Sequence, residues 1–169
     1  MTPPSSANPT DDETYLRRAI AVAADARAHG NHPFGAILVG PDGAILLEAE
    51  NTVITDKDCT GHAETNLMRL ASTAYDRAFL RTCTLYTSTE PCAMCAGAIY
   101  WGNVGSVVFA LSEKGLYRMT ANDPENPSLD LPCREVFGRG QGPITVRGPL
   151  IEDEGRSVHV GFWGASSEV

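Results

Sequence analysis

Leu85-Tyr86-Thr87-Ser88-Thr89-Glu90-Pro91-Cys92-Ala93-Met94-Cys95-Ala96-Gly97-Ala98-Ile99-Tyr100-Trp101 reads as a strand that runs directly into a helix. Thr84 to Ser88 is rich in strand formers. Pro91 to Trp101 has a helical composition with proline in its first turn, where a missing N–H costs little. Cys92 and Cys95 then share the first turn and, at i and i+3, one helix face. A helix N-terminus offers free N–H groups and partial positive charge, which favour thiolate over thiol. The pair can therefore reach one metal ion.

Working outward, His62-Ala63-Glu64 opens a second helical pattern from His62 to Ala71, with Ala63, Leu67 and Leu70 at helical spacing. Upstream, Leu16, Ala19, Ile20, Ala23 and Ala26 predict an amphipathic helix over Asp12 to Gly30, with Gly30 suited to its C-terminal turn. Phe34 to Gly40 and Ala44 to Asn51 predict two strands joined through the turn signal Pro41-Asp42-Gly43, so that they form a hairpin. Thr52 to Gly61 reads as loop. Downstream, Val104 to Ala110 is a strand, Asn122 to Pro127 a loop and Cys133 to Phe137 a short helix. Ile144 to Val146 is a strand, and a final helix is expected over Ile151 to Trp163. Strands alternating with helices predict an α/β fold: a three-layer α/β/α sandwich around a mixed five-stranded sheet.

The 169 residues, 43% hydrophobic, fit one domain with a single core, expected over residues 12–169 behind a disordered tail at 1–11. No apolar run approaches the roughly 18 residues of a membrane helix. The opening residues lack the basic end and apolar stretch of a signal peptide, so a cytoplasmic location is expected. Five cysteines, odd in number and scattered, do not resemble a disulfide framework. In a reducing compartment Cys92 and Cys95 stay available as thiolates, while Cys59, Cys83 and Cys133 are expected as small buried or half-buried residues. A formal net charge of −8 and thinly spread basic residues disfavour a grip on a phosphate backbone, so nucleic acid is not the expected partner.

One imidazole and two thiolates, His62, Cys92 and Cys95, supply three ligands to Zn²⁺ and leave the fourth tetrahedral position open for water. Zinc lowers the pKa of such a water toward roughly 7. Glu64, close to that water, can move protons without binding the metal. A structural site closed by Cys59, Cys83 or Cys133 is the competing account, but it leaves Glu64 without a role and uses no favoured ligand spacing. No dinucleotide fingerprint is present, the glycines at Gly138 and Gly140 following no suitable strand.

H-x-E followed by P-C-x-x-C is the signature of zinc deaminases, and from about Tyr15 to Val108 the chain resembles the cytidine deaminase superfamily. The segment from Leu85 to Trp101 and Pro33-Phe34-Gly35-Ala36 are most similar to the bacterial guanine deaminases. Asn51 precedes His62 by the same distance as that family's base-binding asparagine precedes its zinc histidine. The resemblance implies that His62, Cys92 and Cys95 bind zinc and that Glu64 shuttles protons. It also implies that Asn51 bonds a ring or carbonyl group, that Phe34 packs on the base, and that the Ala63 backbone and Ser88 to Glu90 line the pocket. Glu90 is further expected to fix the zinc loop through hydrogen bonds. Phe162 and Trp163, with His159, are expected to cover the site. Trp101 is expected near substrate and, with Ala96, Gly97 and Ala98, in close helix packing that makes a homodimer. The implied activity is hydrolysis of a small aminated base by water, guanine favoured, cytosine or an amino-triazine next and tRNA adenosine last, with release of ammonia. Leu111 to Gly142 departs from the guanine deaminase pattern, and the acidic residues that read guanine have no evident counterpart there.

Overall fold

A computed structural model describes residues 9–120 and 123–164. Its chain order opens with α1 (Pro9–Ala28), the hairpin β1 (Gly35–Val39) and β2 (Ile45–Glu50), a single turn α2 (Val53–Asp56) and α3 (Ala63–Ala74). After α4 (Arg77–Leu80) come β3 (Thr84–Thr89), α5 (Ala93–Gly102), β4 (Ser106–Leu111), α6 (Glu113–Thr120), α7 (Cys133–Gly138), β5 (Thr145–Arg147) and α8 (Glu152–Ser157). The five strands form one sheet in the order β2-β1-β3-β4-β5. β1 is antiparallel to both β2 and β3, whereas β3, β4 and β5 run parallel, so the sheet is mixed as expected.

Alternation along the strands sorts the core into two layers, because successive strand side chains point to opposite faces. Ala36, Leu38, Leu85, Val107 and Phe109 pack with Leu67 and Met68 of α3, Ala96 and Ile99 of α5, and Cys133 and Phe137 of α7. Ile37, Val39, Tyr86, Val108 and Ala110 pack with Leu16 and Val22 of α1. On that second face Asp12 is buried, receives Tyr86 Oη at 2.8 Å and pairs with Arg147 at 2.7 Å, which ties α1 to the β5 edge. Gly35 lets α1 lie directly on β1: a Cβ there would stand 2.4 Å from Ala23 N and 2.5 Å from Ala19 O.

Several boundaries differ from expectation. Of the tail expected to be disordered, residues 1–8 lie outside the described residues, and α1 already begins at Pro9, at the first helical position that proline tolerates. Thr52 to Gly61 contains the turn α2, whose first residue Val53 donates its N–H to Asn51 Oδ1 at 3.1 Å. α4 was not expected; Asp76 caps it by accepting Phe79 N–H at 2.8 Å. α6 was missed although Ser112 accepts Gly115 N–H at 3.1 Å, as an N-cap serine does. Pro91 lies outside its helix, whose N-cap is Cys92. Instead of a helix to Trp163, α8 stops at Ser157 and turns follow through Gly161 at φ 68°. Arg27 of α1 donates to the carbonyls of Val158 and Val160 at 2.8 Å each and so holds the chain in those turns. Among the described residues no helix is long and apolar enough to cross a membrane.

Candidate active site

Two helix N-termini converge on one point. His62 is the N-cap of α3 and Cys92 the N-cap of α5, with Cys95 one turn further in. His62 Nδ1 lies 3.5 Å from Cys92 Sγ and 3.6 Å from Cys95 Sγ. Zinc held at about 2.3 Å by sulfur and 2.0–2.1 Å by nitrogen in a tetrahedron requires an S–N separation of about 3.6 Å. The donor set therefore fits Zn²⁺ in both chemistry and spacing. Hydrogen bonds from Cys95 and His62 hold the Cys92 thiolate well below the usual thiol range, the Cys95 bond acting most strongly. Cys95 is pushed up by the same bond and by burial, with Thr65 Oγ1 3.3 Å from its sulfur. Among the described residues only His62, Cys92 and Cys95 form a group able to hold a metal ion. Cys59 is exposed, Cys83 donates to Phe79 O at 3.5 Å, and Cys133 sits beside Glu90, so none of them joins the set.

Glu64, at the second helical position of α3, is buried with 6% exposure. Thr87 Oγ1 donates to its Oε1 at 3.1 Å, an anchor that sequence reasoning missed. Burial first, then the neighbouring Cys92 charge, raises its carboxyl above the ordinary range. Thr87 also fixes orientation: the face of β3 that carries Leu85, Thr87 and Thr89 is the face turned toward α3 and the metal ligands.

The remaining expected residues divide. Phe34 shares that face, packing on His159 at 5.2 Å and Trp163 at 6.1 Å between ring centroids. Ala63 is buried at the first turn of α3. Asn51 is buried and commits Oδ1 to Val53 N. Ser88 points the other way, its Oγ accepting Gly35 N–H at 3.1 Å, so its side chain is turned from the pocket. Glu90 accepts the amides of Glu113 at 3.0 Å and Cys133 at 3.2 Å, which fixes the starts of α6 and α7 and fits the supporting role expected of it. Trp101, six residues beyond Cys95 on α5, is 74% exposed and makes no part of this pocket within the chain. Phe162 and Trp163 pack with Phe34, Leu111 and Leu116, Trp163 donating to His159 Nδ1 at 3.1 Å. His32, which the sequence did not single out, packs on both aromatic rings.

His159 is 1% exposed, and burial, with a smaller push from the Arg27 charge, lowers it to about 4. Its folded pKa lies below its unfolded value of 6.5, so the unfolded chain binds the extra proton. This stability is complete above pH 6.5 and is lost as pH falls toward 4. The expected loss is on the order of 3 kcal/mol. Urea unfolding of the protein and of His159→Gln across that window checks it: the slope of stability against pH should flatten in the variant.

Comparison with known proteins adds to this geometry. The model of the cytidine and deoxycytidylate deaminase zinc-binding region matches residues 9–111. Over 152 residues, 90% of this chain and 92% of the relative, the sequence is 45% identical to a probable cytosine deaminase of Schizosaccharomyces pombe. Over 99 residues, 58% of this chain and 63% of the relative, it is 46% identical to the guanine deaminase of Bacillus subtilis. A solved guanine deaminase from Nitrosomonas europaea superposes with a TM-score of 0.73 at 25% identity, over 87% of this chain and 81% of that one.

Proposed function

The chain belongs to the cytidine and deoxycytidylate deaminase family, and from that premise we propose that it hydrolyses the exocyclic amine of a free nucleobase or related amino-heterocycle, guanine first and cytosine or an amino-triazine next. The observation that carries the reading is Glu64, buried and oriented by Thr87 beside three zinc ligands that leave a fourth position open. When bound, Zn²⁺ supplies Lewis-acid activation of water at neutral pH. Glu64 takes a proton from the attacking water, passes it to the adjacent ring nitrogen and delivers the second to the departing amine. Water and an amidine carbon thus become a carbonyl and ammonia. Phe34 gives the base an aromatic wall, and Asn51, its Oδ1 engaged with Val53, offers its amide nitrogen to a carbonyl of the base. Phe162 and Trp163 keep bulk water from the reacting carbon.

The same reading makes the protein a cytoplasmic homodimer. Thiolates that must stay reduced for zinc favour the cytoplasm. Met94, Gly97, Ala98 and Trp101 form an i, i+3, i+4, i+7 stripe on α5, with Met94 37% and Trp101 74% exposed, a surface suited to a second copy. Ala96, expected in that surface, is buried in the core instead.

Ammonia release from guanine, cytosine, adenine, their nucleosides and nucleotides, amino-triazines and a tRNA anticodon hairpin tests the proposal. A free base is expected to be the best substrate, with the hairpin inert at physiological salt because the net charge of −8 opposes phosphate. Preferred turnover of a nucleoside monophosphate, or efficient conversion of the hairpin, would overturn it.

A further inference from the structure

Four buried polar side-chain atoms among the described residues have no partner: Asn126 Nδ2, His159 Nε2 and, flanking the proposed site, Thr89 Oγ1 and Glu113 Oε2. Thr89 lies two residues beyond Thr87, on the strand face that holds Glu64, roughly 7 Å further along β3. Ala36 pairs with Thr87, and continuing that antiparallel register sets Phe34 across from Thr89. On the other side Thr89 pairs with Leu111, which packs with Trp163 and Phe34, and Glu113 follows two residues later at the start of α6. Thr89 thus stands on the strand face between Glu64 and Phe34, and Glu113 follows closely on Leu111, which packs against the aromatic wall.

Glu113 is 6% exposed and firmly held. Its amide donates to Glu90 Oε2 at 3.0 Å, and the Tyr117 hydroxyl donates to its Oε1 at 2.6 Å. Oε2 remains, and among the described residues no cation pairs with the carboxylate. Burial, joined by the like charges of Glu90, Cys92 and Asp130, pushes its carboxyl up to about 7. A buried carboxylate oxygen without a donor is costly to a fold. A ligand N–H donating to Oε2 would favour the ionised carboxylate and meet that cost, and the charge would make the bond stronger than one to a neutral acceptor.

Resting on the deaminase reading above, we propose that Glu113 Oε2, assisted by Thr89 Oγ1, accepts a ring N–H of the substrate and thereby selects free bases over nucleosides. A free base carries a ring N–H at the nitrogen where a nucleoside carries its sugar. Substitution there removes the donor and sets bulk against a buried charge, and a phosphate further out adds like-charge repulsion. Glu113 lies in the segment where the expected guanine-reading acids had no counterpart in the sequence. It reaches the site because Glu90 draws the start of α6 against the zinc loop.

The test compares a base with its N-methyl counterpart, guanine with 9-methylguanine and cytosine with 1-methylcytosine, in the wild type, Glu113→Met and Glu113→Gln, each with zinc content measured. In the wild type kcat/KM should favour the parent base by about 10- to 100-fold. In Glu113→Met, which keeps length but offers no acceptor, the parent base should fall by that factor and the methylated one should not, so the ratio collapses to within about threefold. The calorimetric Kd for 8-azaguanine should weaken by the same factor. Glu113→Gln, with a neutral carbonyl, should give an intermediate ratio, and it carries the test if the methionine variant does not fold. A merely structural glutamate would slow both substrates alike; an unchanged ratio in either folded variant overturns the assignment while the deaminase reading stands. If the wild type releases no ammonia from any base, it is that reading which fails.

Discussion

Glu64→Gln is expected to keep the fold and the zinc while lowering kcat by at least about 10²- to 10⁴-fold, the range for loss of a general acid/base. The amide is nearly isosteric, and its oxygen can still accept the Thr87 hydroxyl that lies 3.1 Å from Oε1. It cannot take a proton from water. Because burial already disfavours the ionised carboxylate, the neutral amide should unfold at the same temperature or higher. Ammonia release, metal content and thermal unfolding on one preparation separate these effects. A folded, zinc-loaded Glu64→Gln that retained most of its activity would remove Glu64 from proton transfer.

Cys92→Ala should lose the metal. Only His62 and Cys95 would remain, and no other described thiol or imidazole is placed to replace the lost ligand. Removal of an outer-shell partner typically weakens metal affinity by about 10–100-fold, and loss of one of three direct ligands should exceed that. Zinc measured after dialysis against a weak chelator gives the answer. Retention of zinc at the wild-type level would mean that the site is not built from these three residues.

Much of this arrangement was legible in the chain because its signals are local. His62, Glu64, Cys92 and Cys95 lie at short spacings around the starts of two helices whose beginnings the pattern announces, and helix geometry brings Cys92 and Cys95, three residues apart, to one face. All five strands were readable from composition and turn residues, Gly43 taking φ 84° in the hairpin turn as the Pro41-Asp42-Gly43 signal requires. Long-range bonds were not legible. Ser88 lies next to Thr87 and Thr89 in sequence, yet the two-residue period of a strand sends it to the opposite face, where its Oγ accepts the Gly35 N–H. The end of α8 depends on Arg27, over a hundred residues earlier in the chain. Glu113 emerged only with its partners, since an exposed glutamate at the start of a helix and a buried one with an idle oxygen read alike in a sequence. Ser112 just before it, a good N-cap residue, was the signal that would have found α6.

Titrating metal-free protein with Zn²⁺ while following ammonia from the best free base tests the central claim most directly. Ammonia release should rise in proportion to added zinc and reach its plateau at one equivalent per chain, with the same titration of Cys92→Ala remaining flat. Full activity in the metal-free protein, or one tightly bound zinc per chain with no ammonia from any base offered, would contradict the account.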